Sequence, residues 1–233
     1  MRTIFLPGLL SDGRVWQEVA DRLNLPLLAA DLSRDDSIGG MAARALADFD
    51  GPISVIGHSM GGRVAIEMAR RQPDRVTSLV LANTGHAPMK LGEEEKRGRL
   101  VELGWQDMGE LADIWLPPML APDRIHDSVL VNNLSTMVME AGPEVHERQI
   151  RALLSRPNAG AALPGITCPV LLMTGAQDGW SPEAQHREMA AMTPDATVEI
   201  IDGAGHFLPI ERPGQTADVI RWWMSQHQIP AAN

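Results

Sequence analysis

The sequence predicts an α/β fold, with a mainly parallel six-stranded sheet, helices on both faces and a helical insertion after the fourth strand. Three observations carry that expectation. Short, continuously apolar runs alternate with stretches of helical spacing, the pattern of strands buried on both faces. The alternation lapses between residues 87 and 162, where helical patterns continue and no strand is convincing. Strand, tight turn and helix follow without a gap in Ile53-Ser54-Val55-Ile56-Gly57-His58-Ser59-Met60-Gly61-Gly62.

The elements can be justified in order. Residues 3–6 form an apolar run that stops at Pro7-Gly8, and residues 12–23 read as a helix with Val15, Trp16, Val19 and Leu23 inward. Residues 25–31 make a second apolar run, a loop rich in Ser and Asp follows, and residues 41–49 are good helix formers. The strand entering Gly57 is the third, and the helix after it keeps Val64, Ala65, Met68 and Ala69 on one face until Pro73 stops the chain. Residues 76–81 are the fourth strand. The insertion then carries helical patterns broken by Pro117-Pro118, Pro122, Pro143 and Pro157, and its run Glu93-Glu94-Glu95-Lys96-Arg97 reads as a solvated helix face. Residues 170–174 are the fifth strand, residues 182–192 a helix capped by Ser181, residues 198–201 the sixth strand, and residues 216–226 a closing helix.

Composition narrows the partners. The chain has 233 residues, enough for one domain with a full core. Its formal net charge of -10 repels phosphate backbones and anionic lipid surfaces, so neither nucleic acid nor membrane is expected as a partner. The one cysteine, Cys168, excludes an internal disulfide and sits at the head of an apolar strand, as a small buried hydrophobe does. No His, Cys or carboxylate cluster has metal-ligand spacing, and Gly8 lacks the further glycines of a dinucleotide loop, so no metal and no cofactor is expected. The first apolar run ends too early for a secretion signal and no stretch is long enough to span a bilayer, which makes the cytoplasm the default expectation.

In open α/β sheets, sites form beyond the carboxyl ends of the strands. Four of those ends carry unusual residues: Gly8-Leu9, Ser59, Asp178 and His206. A serine hydroxyl needs a base to take its proton as it attacks. His206, reached through Gly203-Ala204-Gly205, is the candidate base, and Asp178 is the carboxylate that can fix its tautomer. Asp202 reads better as a turn former, and Asn83, at the end of the fourth strand, is neutral. Two backbone N–H groups suit a developing oxyanion: that of Met60, which opens a helix, and that of Leu9, with Leu10 as the alternative.

These residues carry a resemblance. In Leu6-Pro7-Gly8-Leu9, Gly57-His58-Ser59-Met60-Gly61-Gly62, Gly175-Ala176-Gln177-Asp178 and Gly203-Ala204-Gly205-His206 the chain resembles the α/β-hydrolase superfamily, over nearly its whole length. The resemblance implies an α/β-hydrolase fold, with core at 1–86 and 163–233 and a helical cap at 87–162. It implies a triad of Ser59, Asp178 and His206 under that cap. Two departures stand out. The usual His-Gly before the oxyanion loop is Pro7-Gly8, and the customary amino-terminal antiparallel hairpin is missing.

The expected activity is cleavage of a small carboxylic ester or thioester, through an acyl-enzyme on Ser59. A lactone or carbon–carbon bond hydrolase would use the same triad, and a slow-turnover receptor for a small molecule is the alternative of another class. His58 should pack under the turn and order it. Leu10, His86, Trp115, Met137, Trp180 and Phe207 are the candidates to line a substrate pocket, or equally to fill the core between cap and sheet. The oligomeric state, monomer or homodimer, is left open.

Overall fold

A computed structural model describes residues 1–230. In chain order the elements are β1 Arg2–Leu6, α1 Gln17–Leu23, α2 Ile38–Asp48, β2 Ile53–His58, α3 Met60–Arg71 and β3 Val76–Ala82, then α4 Glu93–Gln106, α5 Met108–Trp115 and α6 Ser128–Leu154, then β4 Val170–Gly175, α7 Glu183–Met192, β5 Ala196–Ile201, α8 Leu208–Glu211 and α9 Pro213–Gln226. The five strands form one sheet in the order β1-β2-β3-β4-β5, and every pairing is parallel. All six residues of β2 and of β4 are buried, so alternate side chains are covered on both faces. α2 packs against α3, and α1 against α9. Trp16, Phe5 and Trp223 are the bulkiest fully enclosed side chains, and Trp16 still satisfies its indole by donating to the Leu6 carbonyl at 3.1 Å.

The expectation of six strands is corrected to five. Residues 25–31 lie beside β1 but meet it in a single bridge, Phe5 with Ala29, through the bonds Phe5 N–H to Leu28 O and Ala30 N–H to Phe5 O. Pro26 has no N–H to give, and the Leu28 N–H turns back to the Pro26 carbonyl at 2.9 Å, so the ladder cannot extend. This segment and β2 still lie on opposite sides of β1. The strand order therefore reverses at β1, and the loop after β1 opens at the switch point. Numbered by the observed sheet, the helical insertion follows the third strand.

Two smaller expectations change. The first helix begins as a 3-10 turn, Gly13–Trp16, capped by Asp12. Ser181 does not cap α7, whose N-cap is Pro182; the Ser181 N–H is bound elsewhere, by Asp178. The break expected at Pro143 is present, and α6 is two helical runs in succession. Gly142 breaks the helical run at φ 77°, and proline stands in the first turn of the half that resumes. Cys168 is free and buried. No helix among the described residues is long and apolar enough to cross a membrane.

The turn after β2 is a close approach of backbone to backbone. A Cβ on Gly57 would meet the Gly61 carbonyl at 2.6 Å, and one on Gly61 would run into the Leu6 and Pro7 carbonyls at the end of β1. Neither neighbour is a side chain that can swing away. Gly61→Ala is therefore expected to destabilise by about 2–3 kcal/mol, read as a lower urea midpoint with the slope of the transition unchanged.

Candidate active site

Ser59 sits at the apex of that turn with φ 53° and ψ -113°, a conformation that a non-glycine residue adopts only when its surroundings impose it. Three bonds impose it. The Ser59 N–H donates to Ala82 O at 2.9 Å, and the Ser59 carbonyl accepts from the Thr84 hydroxyl at 2.7 Å and from the Gly62 N–H at 3.1 Å. With the backbone so occupied, the hydroxyl is left to His206, whose Nε2 lies 2.9 Å away.

His206 Nδ1 lies 3.0 Å from Asp178 Oδ2 and 3.2 Å from Oδ1, and both side chains are buried. An ionised carboxylate can only accept, so Nδ1–H donates to Asp178 and the unprotonated Nε2 accepts from the Ser59 hydroxyl. Burial alone would raise the pKa of Asp178. The charge of His206 and its hydrogen bond outweigh it, with help from Asn83 and the Ser181 N–H, and the carboxyl is held well below the usual carboxylate range. Oδ1 also accepts from the N–H groups of Trp180 at 2.8 Å and Ser181 at 2.9 Å, while Asn83 Nδ2 donates to Oδ2 at 2.9 Å. Asn83, weighed in the sequence only as a rival for the acid's place, is thus a donor to the acid.

The loop carrying His206 is fixed by a residue that the sequence reading missed. Glu211 is buried and accepts from the N–H groups of Gly205 and Phe207, on either side of His206, and from Ala121 of the insertion at 2.8 Å. Burial pushes its carboxyl up, against the opposing pull of those three amides. The signal available in the sequence was a lone carboxylate in the apolar stretch Phe207-Leu208-Pro209-Ile210. The His206 N–H itself donates to Met119 O at 2.6 Å.

Of the two candidate donors after β1, the N–H of Leu10 is taken by Gln149 Oε1 at 2.9 Å. That of Leu9 has no acceptor among the described residues. The Met60 N–H opens α3, where no preceding turn supplies a carbonyl.

A cavity of about 400 Å³ opens over Ser59 and His206, lined in part by Leu9, Met60, Trp115, Met119 and Trp180. Trp115 and Trp180 stand where the sequence reading put them. Leu10, His86, Met137 and Phe207 do not line it. Leu10 and Met137 belong to the core; Phe207 is buried against Trp115 and the two rings of His58 and His206; His86 lies at the hinge into the insertion, its carbonyl bound by the Ala159 N–H. The run from Glu93 to Arg97 also departs from expectation. Glu94, Glu95 and Lys96 are exposed, but Glu93 and Arg97 are half-buried, and Glu93, Lys96 and Arg97 line the cavity. Among the described residues, no three His, Cys, Asp or Glu side chains are grouped as metal ligands would be.

Comparison with known proteins bears on the family and the fold. The model of the alpha/beta hydrolase family matches residues 3–219. Lipase LipV of Mycobacterium tuberculosis is 34% identical over 93 residues, which cover 34% of this chain and 36% of that protein. Mouse monoglyceride lipase is 32% identical over 196 residues, covering 78% of this chain and 61% of the mouse protein. The chain therefore matches less than two thirds of the length of either relative. Among solved structures, a thermophilic esterase from Thermogutta terrifontis superposes with a TM-score of 0.88 at 24% identity, over 97% of this chain and 90% of that one. The enol-lactonase from Burkholderia xenovorans gives 0.84 at 20%, over 96% and 91%. At such identities the structural likenesses speak to the fold.

His58 gives this site a signature in solution. Its Nε2–H donates to His206 O at 2.7 Å, its Nδ1 has no partner, and burial, reinforced by the charge of His206, pushes the ring down from 6.5 to about 3. Between those values the unfolded chain binds a proton that the folded chain refuses, so stability falls as pH drops through the window. His58→Asn should make unfolding free energy less steep against pH there, by up to about 1.4 kcal/mol per pH unit, measured by urea titrations at a series of pH values.

Proposed function

The chain belongs to the alpha/beta hydrolase family, and from that premise we propose that it hydrolyses a small carboxylic ester through an acyl-enzyme on Ser59. What supports the reading most is the unbroken relay of Ser59 Oγ, His206 Nε2 and Nδ1, and Asp178, with spacings of 2.9 and 3.0 Å before any substrate is present. The lipase and esterase names among its relatives point the same way.

In this mechanism the Ser59 oxygen attacks the ester carbonyl carbon while its proton passes to His206 Nε2. The carbonyl oxygen becomes an oxyanion and accepts from the N–H groups of Leu9 and Met60, which need not reorganise to meet it. Asp178 stays ionised and steadies the imidazolium. The intermediate then collapses: the bond to the alkoxy oxygen breaks, and that oxygen leaves as an alcohol with the proton from Nε2. Water, deprotonated by the same nitrogen, attacks the acyl-enzyme and releases the carboxylic acid and Ser59. Asn83 and Glu211 act as positioning residues, the first on Asp178 and the second on the His206 loop. Residues 87–162 serve as the cap that closes the acyl site from above, with core at 1–86 and 163–233.

Ser59→Ala should lower kcat on activated esters by about 10⁶, and Asp178→Asn by about 10⁴. Mass spectrometry after treatment with a fluorophosphonate should find one adduct, on Ser59, in the wild type and none in Ser59→Ala. Near-normal turnover by Asp178→Asn would refute the assignment of the acid.

A further inference from the structure

The chain carries a formal net charge of -10, yet the cavity beside Ser59 has the opposite sign. Arg63, Lys90, Lys96, Arg97 and Arg156 line it, against the single carboxylate of Glu93. Glu93 is already committed. Arg156 grips it with two bonds of 2.8 and 2.6 Å, and Arg97 Nε donates to it at 2.7 Å. Arg63 has no such partner. It is half-buried, one turn along α3 from Ser59, and no carboxylate among the described residues lies within ion-pair distance of it, of Lys90 or of Lys96.

Arg63 makes one hydrogen bond, from Nη1 to Ala87 O at 3.0 Å, and Arg156 Nε already donates to that oxygen at 3.2 Å. Holding the hinge at Ala87 therefore does not require Arg63. Nor does protein pack closely behind it. Arg63 and Arg156 also line a second cavity of about 120 Å³, where the nearby carboxylate, Glu67, is bound by Arg70 and Arg71. Burial, and then the like charge of Arg156, push the Arg63 guanidinium down to about 9 against the weaker pull of Glu93, still protonated at neutral pH. A half-buried cation without an ion-pair partner of its own is unfavourable, and a ligand that brings a negative charge into contact lowers the penalty.

From this we infer that the ester hydrolysed at Ser59 carries a second group, a carboxylate, which pairs with Arg63 under the outer flank formed by Lys90 and Lys96. The inference rests on the hydrolase reading of Ser59. A carboxylate suits the site better than a phosphate because one planar guanidinium fork is unpaired and offers one charge, and because this cluster already holds a carboxylate, Glu93, between two arginines. Ser59 is the N-cap of α3 and Arg63 its fourth residue, so the two lie within one turn, about 5–6 Å along the axis. A short diacid half-ester spans such a separation.

The test compares kcat/KM on three esters of similar size: monomethyl glutarate, with the carboxylate on the acyl side; carboxymethyl butyrate, with it on the alcohol side; and neutral methyl pentanoate. One of the two anionic esters should be preferred over the neutral one by tenfold or more, and which one identifies the side that faces Arg63. In Arg63→Met that preference should fall by about tenfold to a hundredfold, mainly through KM, with Arg63→Lys retaining part of it. Free glutarate should inhibit neutral-ester hydrolysis by the wild type competitively, and more strongly than inorganic phosphate at equal ionic strength. This arm needs no variant. Equal rates on all three esters with no inhibition by glutarate would overturn the inference and leave the hydrolase standing. Phosphate inhibiting as well as glutarate would overturn the choice of carboxylate. If no ester is turned over, the hydrolase reading fails, and calorimetry of glutarate with wild type and Arg63→Met still decides whether Arg63 holds an anion.

Discussion

The constraint on which the rest depends is the steric one at the end of β2, where two backbones come closer than any side chain allows. With hydrogen at the α-carbons of Gly57 and Gly61, the turn lies directly against the last carbonyls of β1. Ser59 is driven to positive φ, and its hydroxyl stands clear of the sheet. The same closeness puts the loop after β1, with the unpaired Leu9 N–H, beside the start of α3, with the unpaired Met60 N–H. The proposed nucleophile and its proposed amide donors are thus consequences of one contact. Its strain is balanced by the three hydrogen bonds to the Ser59 backbone and by a sheet buried on both faces.

Two buried carboxylates stand on either side of His206, and their environments drive them in opposite directions. Asp178 faces an imidazole that can become a cation, together with Asn83 and two amides, so its charge is favoured despite burial. Glu211 meets three amides and, more weakly, the charge of Arg212, and burial wins. The difference fits their positions. In the proposed mechanism, a group that must steady a transient imidazolium has to be ionised throughout. Glu211 needs only lone pairs to hold Gly205, Phe207 and Ala121 in register, and lone pairs are present in either protonation state.

The legible part of this molecule was whatever a local pattern could carry. The strands β1 to β5 announce themselves as apolar runs, and Ser59, Asp178 and His206 each follow one of them, so strand ends on a parallel sheet placed all three on one rim. What stayed hidden depends on distant partners. Residues 25–31 look like a strand, but Pro26 and the turned-back Leu28 amide reduce them to one bridge. Phe207 and Met137 are apolar wherever they lie, and nothing local distinguishes a pocket wall from a core. The charges of α4 read as solvated because most of them are. Glu93 becomes part of the cavity only when Arg156, which is 63 residues away, folds back onto it.

The insertion is fastened to the core all round the site, and the fastening is uneven. Gln149 bridges to Leu10 and Leu32, Arg148 to Ser33, Met119 and Ala121 to the His206 loop, and Ala159 to His86. Most of these contacts reach loops that flank Ser59 or His206, so the insertion shares in setting the geometry of the rim as well as covering it. The start of α4 is different. Residues 88–92 are exposed, and Leu91 projects fully into solvent while Lys90 and Leu91 border the cavity. Trp180, half exposed, is also part of the cavity wall. Where backbone is exposed and cross-links are few, local opening costs least. The way in therefore lies over the first turn of α4, and a ligand taking it meets Lys90 and Lys96 before Arg63 and Ser59. Charge is then read at the mouth, ahead of the chemistry.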